Sequence, residues 1–97
     1  MVPGMNPPPV VRHNSAAHRY EIDTDGRLSV AEYELVEGRQ VFTHTLVPEE
    51  LRGRGLAEAL VKTALDDAVR AGRKVVPACW YVAKYIDRHK EYQSLLA

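Results

Sequence analysis

The sequence predicts one domain of the mixed α/β class, an α+β arrangement in which about five strands form a single sheet. Three observations lead to this prediction. Residues 41–47 alternate in polarity and are rich in β-branched side chains, which favours a strand. From Leu56 the apolar residues recur at three- and four-residue steps, as in a long amphipathic helix. Residues 73–79 read as a fifth strand, which a crossover through the helix should place parallel to the fourth.

Three shorter strands are predicted before these elements, at residues 10–14, 19–23 and 28–35. A short connection joins the first two, and Thr24-Asp25-Gly26-Arg27 between the second and third is typical of a hairpin turn. In the third strand the apolar pattern changes phase between Val30 and Ala31. This change indicates either a bulge or a strand that is covered on both faces.

Pro77 lies inside the fifth predicted strand, and proline has no N–H to donate to a neighbouring strand. We therefore expect the pairing of strands four and five to fail near Pro77. The resulting cleft would lie where ligands of open α/β sheets commonly bind. A second helix, over about residues 80–89, should close one side of it, with Val82, Tyr85 and Ile86 on its inward face.

Length and composition place limits on the class of protein. The 97 residues suffice for one domain with a modest core, which we assign to residues 10–97. Residues 1–9 hold four of the six prolines and are expected to form a disordered leader. A formal net charge of zero does not favour a nucleic-acid partner, and no segment is apolar enough to span a membrane. We expect a cytoplasmic protein, monomeric or weakly dimeric, with one cysteine and therefore no internal disulfide.

The loop between the fourth strand and the long helix predicts an anion site. Gly53 and Gly55 carry no side chains, so a ligand can approach the main chain closely. The first amides of a helix have no partner inside it, and the helix dipole adds partial positive charge there. Arg52 and Arg54 add two cations that can bind phosphate oxygens. Together these features predict a site for a di-anion such as a pyrophosphate, the alternative being a tight turn with two solvated arginines.

The segment Arg52-Gly-Arg-Gly55-Leu-Ala57 resembles the acetyl-CoA loop of the GNAT acetyltransferase superfamily, whose pattern is Arg/Gln-x-x-Gly-x-Gly/Ala. Phe42-Thr-His44-Thr followed by Val47-Pro48, and Pro77-x-Cys79-x-x-Val82, extend the resemblance. The usual GNAT has two helices between its first two strands, for which this chain leaves no room. In that respect it is similar to the small single-domain GNAT-like family.

The resemblance implies an N-acetyltransferase that takes acetyl-CoA as cofactor and transfers acetyl to an amine acceptor. The end of the fourth strand would pair with the pantetheine amide, and the loop with the first helical turn would hold the pyrophosphate. The implied cofactor-binding residues are Leu46, Val47, Arg52, Gly53, Arg54, Gly55, Leu56, Ala57 and Glu58. Most GNAT enzymes use a tyrosine to protonate the leaving thiolate. Neither Tyr81 nor Tyr85 aligns securely with it, so the general acid stays unassigned.

Cys79 is the first candidate catalytic residue, because the small family tends to have a cysteine at this strand end. It also precedes the start of a helix, where partial positive charge favours a thiolate. Cys79 could attack acetyl-CoA and carry the acetyl group as a thioester, or assist a direct transfer. The alternative is an inert, buried cysteine.

His44 is the second candidate, as the base that takes a proton from the acceptor amine directly or through water. Strict alternation would place Phe42 and Leu46 on its face, so a packed core histidine is the alternative. The other histidines are interpreted as surface residues, and no spacing typical of a metal site is present. Most aromatic residues, Trp80 and Tyr81 among them, are expected in the core.

Two further functions are consistent with the sequence. A CoA or acyl-CoA sensor without turnover is favoured by the missing acceptor-side helices, because little protein remains to recognise a substrate. An interaction domain that uses the exposed edge strand near Val10 would show no nucleotide affinity. The sequence does not identify the acceptor amine.

Overall fold

The computed structural model describes residues 9–97, which form one five-stranded sheet in the order β1-β2-β3-β4-β5. Residues 1–8, most of the predicted leader, lie outside the described residues. The strands are β1 (Arg12–Asn14), β2 (Arg19–Thr24), β3 (Arg27–Val36), β4 (Arg39–Leu46) and β5 (Val75–Pro77), and the helices are α1 (Leu56–Ala71) and α2 (Trp80–Arg88). Two 3-10 turns cover Glu49–Leu51 and Lys90–Leu95. The predicted fold class, a mixed sheet with helices after strands four and five, is confirmed.

Strands β1 to β4 are antiparallel, and β5 pairs with β4 in parallel, as the crossover through α1 predicts. Strand β1 begins at Arg12, so Val10 lies outside it, and β5 is shorter than the predicted segment. The turn over residues 15–18 joins β1 to β2, closed by a bond from His18 N–H to Ser15 O of 3.2 Å. This short turn leaves no helix on the outer face of the sheet in the described part of the chain.

The core lies between the sheet and the two helices. One apolar stripe of α1, Leu60, Val61, Ala64, Leu65 and Ala68, is fully buried. It packs on the inner face of the sheet, which carries Tyr20, Ala31, Tyr33 and Phe42, and the predicted inward face of α2, Val82, Tyr85 and Ile86, completes the same cluster. Gly72 ends α1 in the left-handed conformation, φ 65°. Among residues 9–97, no helix combines the length and apolarity needed to cross a bilayer.

A β-bulge lies in β4. The register pairs Glu32 with His44 but Tyr33 with Phe42, so Thr43 is one extra residue. The predicted bulge between Val30 and Ala31 was therefore placed on the wrong strand, although both of those residues are buried, as a strand covered on both faces requires. An extra residue reverses the alternation of side chains beyond it. Because Thr45 pairs with inner-face Ala31, Thr45 takes the inner position and His44 the outer one.

Pairing of β4 and β5 ends at Pro77, where the sequence predicted failure, but for a different reason. Val75 O accepts a bond from Ala97 N–H, so the backbone N–H and C=O of Val75 point away from β4. The backbone groups of Pro77, two residues further along, point in the same direction, so a backbone N–H at Pro77 would not have bonded to β4. Pairing stops because Ala78 N–H turns back to Val76 O, 3.1 Å, within its own strand.

Candidate active site

The separation of β4 and β5 opens a cavity of about 480 Å³. The last link between the two strands is a bond from Cys79 N–H to Phe42 O of 2.9 Å. Beyond it, among residues 9–97, the end of β4 has a partner strand only on the β3 side. The cavity is lined by Thr45, Leu46, Val47, Leu51, Arg52, Gly53, Gly55, Leu56, Ala57, Glu58, Cys79, Trp80 and Tyr81. The structure thus brings together all but one of the predicted cofactor-binding residues, and Cys79 with them.

The start of α1 presents free amides to this cavity. Its N-cap is Gly55, with φ 77°, and the first helical bond runs from Ala59 N–H to Gly55 O, 3.1 Å. In the described part of the chain, no backbone or side-chain acceptor meets the amides of residues 55–58. A Cβ added to Gly53 or Gly55 would meet no heavy atom within 4 Å, so both positions face open space. Bare amides at a dipole-bearing helix start form a site for an anion.

The two arginines of the loop differ in position. Arg52 lines the cavity, and its Nε donates to Val47 O at 3.3 Å, which ties the loop to the end of β4. The short 3-10 turn that precedes it is anchored by Leu51, which is buried. Arg54 does not line the cavity. The geometry therefore favours Arg52 over Arg54 as the cation next to a bound anion.

Cys79 lies at the point where the strands part. It is half-buried and forms the N-cap of α2, and its Sγ is 3.6 Å from Thr45 Oγ1, within the range of a weak hydrogen bond in either direction. The bulge in β4 produces this contact, because it turns Thr45 to the inner face. The thiol is accessible from the cavity, which a fully buried, inert cysteine would not be.

His44 lies outside the residues that line the cavity. Its side chain is 66% exposed on the outer face of the sheet, and its Nδ1 is 3.8 Å from a carboxylate oxygen of Glu32. The alternative of a packed core histidine is therefore wrong. Strict alternation suggested it, and the extra residue at Thr43 breaks that alternation.

Two aromatic residues that were expected in the core line the cavity, and of these Tyr81 also packs against the core. Trp80 is 71% exposed, and Tyr81 is half-buried. Burial raises the pKa of the Tyr81 phenol, and the negative charge of Glu58 raises it further, so the phenol keeps its proton at neutral pH. Both residues follow Cys79 directly, at the first turn of α2, and this position was the available sequence signal that they line the cavity.

The remaining histidines all have aromatic partners; His13 and His18 are exposed as predicted, whereas His89 is half-buried. His13 stacks on Tyr20 with ring centroids 4.2 Å apart, and its Nε2 lies 2.6 Å from Tyr33 Oη. His89 stacks on Tyr85 at 3.9 Å. Across residues 9–97 no cluster of three or more histidine, cysteine, aspartate or glutamate side chains could hold a metal ion.

Comparison with known proteins agrees with this architecture. The family model of the GCN5-related N-acetyl-transferases matches residues 19–95. Protein NATD1 of Mus musculus and that of Gallus gallus are each 38% identical over 88 residues, which cover 88% of this chain and 80% of the relative. Protein NATD1 of Homo sapiens is also 38% identical, over 88% of this chain and 78% of its own length. The chain therefore belongs to the family of GCN5-related N-acetyltransferases.

Proposed function

We propose that this protein binds acetyl-CoA and transfers its acetyl group to an amine. The observation that carries the proposal is the row of unpartnered amides at residues 55–58, at the mouth of a cavity between two separated parallel strands. A di-anionic pyrophosphate can accept bonds from these amides while Arg52 supplies a cation beside them. The residues present thus fit the group that the family generally binds.

The end of β4 would position the thioester arm. Beyond Phe42 this strand has a partner on one side only within the described residues, so its free backbone groups can pair with a pantetheine amide as an added strand would. Leu46 and Val47 lie at this edge and line the cavity. Binding of the pyrophosphate at α1 and of the amide at β4 would fix both ends of the arm, and this positioning supplies much of the expected catalysis.

Cys79, Thr45 and Tyr81 supply polar groups in the cavity. Acetyl-CoA contributes an activated acyl group as a thioester. A main-chain N–H of the free strand edge would polarise the carbonyl as negative charge develops on its oxygen. Tyr81 keeps its proton at neutral pH and is therefore our candidate to protonate a leaving thiolate, with the Cys79 thiol as the second candidate.

His44 is proposed as a base only for an amine that approaches from the outer face of the sheet, where its imidazole is exposed. A carboxylate oxygen of Glu32 lies 3.8 Å from Nδ1 on the same face of the sheet. In this arrangement the thioester would lie on the inner face of the sheet, in the split (the cavity where β4 and β5 separate), and the amine would approach from the outer face.

A CoA or acyl-CoA sensor without turnover is the second candidate function. The observation in its favour is the four-residue turn between β1 and β2, which leaves the outer face without an acceptor-binding helix in the described part of the chain. Both candidates require CoA binding, and they differ only in turnover.

Titration calorimetry with CoA and acetyl-CoA tests the binding shared by both functions. We expect saturable binding to the unmodified chain and its loss in Gly55→Asp, which places a carboxylate at the proposed anion site. Gly72→Asp is the matched control, because Gly72 is also a left-handed glycine with open space at its Cβ but lies at the other end of α1. No heat of binding to the unmodified chain would refute the proposal.

Release of free thiol from acetyl-CoA in the presence of a panel of amines separates enzyme from sensor. Release above the background of amine and buffer alone supports transfer. Binding without release across the panel supports the sensor.

A further inference from the structure

The thiol of Cys79 has a single hydrogen-bonding partner among the described residues, the hydroxyl of Thr45. The two atoms are 3.6 Å apart, and both side chains are half-buried and line the split. Across residues 9–97 the Thr45 hydroxyl has no other partner either. The pair is therefore isolated from the other polar side chains of this part of the chain, and each group is available to orient the other.

The main chain of Cys79 is bound to the same strand as its side chain. Its N–H donates to Phe42 O at 2.9 Å, so β4 contacts Cys79 at two points, one on each side of the extra residue Thr43. Only the bulge makes both contacts possible, because it turns Thr45 to the inner face. With the N–H fixed, rotation about the Cα–Cβ bond is the main freedom left to the sulfur.

The hydroxyl is the better donor of the pair. A thiol S–H is a weak donor and a threonine O–H is an ordinary one, so Thr45 donates and the sulfur accepts. The side chain of Thr45 is β-branched, and its restricted rotation keeps the O–H in place. This direction leaves the thiol hydrogen of Cys79 unbound, and both roles considered for Cys79 require that hydrogen to be free to leave.

We propose that Thr45 is the positioning residue of Cys79, and that the bond from its hydroxyl selects the rotamer that places the sulfur in the split. The effect on acetyl transfer rests on the proposed function, whereas the selected rotamer does not depend on CoA. Without the bond, the sulfur is distributed over the staggered rotamers and faces the thioester for only part of the time. Thr45 thus acts through Cys79, and it contributes to the rate of transfer rather than to cofactor affinity.

Two substitutions of Thr45 separate positioning from packing. Thr45→Val keeps the shape and removes the hydroxyl, whereas Thr45→Ser keeps the hydroxyl and removes a methyl group. Positioning predicts that kcat for thiol release falls about tenfold in Thr45→Val and stays near the unmodified value in Thr45→Ser, with CoA affinity unchanged in both. Packing alone predicts the reverse order, because serine leaves a void. The control is Thr63→Val, the same exchange at a half-buried position of α1 outside the cavity lining.

A double variant tests whether Thr45 acts through Cys79. In a Cys79→Ala background, Thr45→Val should cause no further loss of rate, because a residue that acts only through another is not additive with it. Losses that add in the double variant would overturn the inference.

A measurement without CoA tests the contact itself. Cys79 is the only cysteine in the sequence, so isotopic labelling of cysteine alone gives NMR signals from this side chain. The three-bond couplings between Hα and Hβ should indicate one rotamer in the unmodified chain and in Thr45→Ser, and an average over several in Thr45→Val. Averaged couplings in the unmodified chain, or unchanged couplings in Thr45→Val, would overturn the inference.

The two measurements keep this inference distinct from the proposed function. If the unmodified chain binds no CoA, the proposed function fails and the couplings still decide the role of Thr45. If the chain transfers acetyl and Thr45→Val is as fast as the unmodified protein, the positioning role fails and the proposed function stands.

Discussion

Thr45 Oγ1 and Cys79 Sγ lie 3.6 Å apart, one near the end of β4 and the other at the N-cap of α2, two residues after β5. Two local events bring them together. The extra residue at Thr43 turns Thr45 to the inner face, and the turn at Ala78 ends the ladder before the strands could pair further. The hydroxyl and the thiol therefore face each other inside the split, where the proposed thioester would lie.

Replacing Cys79 with alanine should slow acetyl transfer and leave CoA affinity nearly unchanged. The side chain lines the cavity but supplies none of the amides that would hold the pyrophosphate. A lost proton donor or nucleophile costs on the order of 100-fold in kcat. Thiol release under saturating acetyl-CoA, together with calorimetry, measures the two effects separately.

Mass spectrometry of the protein mixed with acetyl-CoA then distinguishes the two roles of Cys79. A persistent acetyl adduct that is absent from Cys79→Ala indicates a thioester carried by the protein. Its absence, together with a slowed variant, indicates assistance to direct transfer. A fully active Cys79→Ala protein excludes a catalytic role.

The arginines of the loop should contribute unequally to binding. Arg52→Ala should weaken CoA binding about tenfold, because this residue lines the cavity and holds the loop against Val47 O. Arg54→Ala removes the same charge two residues away, at a position outside the cavity lining, and should cost little. Calorimetry of the two variants at one ionic strength makes the comparison, and equal losses would contradict the assignment.

Substituting His44 tests whether a base acts from the outer face of the sheet. A histidine base must be uncharged, so the transfer rate should fall on the acidic side of the pH–rate profile, and His44→Gln should remove that fall. His18→Gln, which changes another exposed histidine at the far edge of the sheet, is the control. An identical profile for His44→Gln and the unmodified protein would end this proposal.

Tyr92→Phe should destabilise the fold most at neutral pH. Tyr92 Oη donates to Asp66 Oδ1 at 2.6 Å, and Lys62 Nζ donates to the other carboxylate oxygen at 2.9 Å. Burial opposes ionisation of Asp66, but these two bonds outweigh it and lower the pKa of the carboxyl. Removing the hydroxyl should cost about 1–2 kcal/mol, which lowers Tm by roughly 5–15 °C in a domain of this size.

The pH dependence of this loss follows from the two pKa shifts. The lowered pKa of Asp66 adds stability above its unfolded value, and this contribution disappears as the pH falls below about 4. Burial, followed by the bond to Asp66, raises the pKa of Tyr92 to about 12. The contribution of Tyr92 to the free energy of unfolding is therefore lost only as the pH rises from about 10 towards that value. Denaturant unfolding of Tyr92→Phe and of the unmodified protein at pH 7 and pH 3 measures the loss of unfolding free energy at each pH. An equal loss at the two pH values would contradict this pH dependence.

Most of the fold could be predicted because its signals are local. The β-branched run before Pro48, the helical stripe from Leu56 and the glycine stop at Gly72 each depend on neighbouring residues, and the structure has a strand, a helix and a helix end at these places. The proposed anion site could be predicted in the same way, because a helix start after two glycines is recognised without tertiary information.

The side chains around the split could not be predicted in the same way. The bulge depends on how β4 aligns with β3, and one extra residue at Thr43 exchanges the faces of His44 and Thr45. Alternation read along a single strand cannot detect that exchange. The exposure of Trp80 is a second example, because Trp80 and the buried Val82 lie in the same first turn of α2, and the way the helix packs determines which of them is covered.

The four-residue turn between β1 and β2 has a consequence for selectivity. Among the described residues, no helix forms a wall on the outer face of β4, where His44 and Leu46 are both more than half exposed. An amine arriving from that side would meet a nearly flat surface rather than a shaped pocket. Discrimination between amines would then depend on their own charge and basicity more than on their size, so a side chain on a large protein could reach the split as readily as a small polyamine.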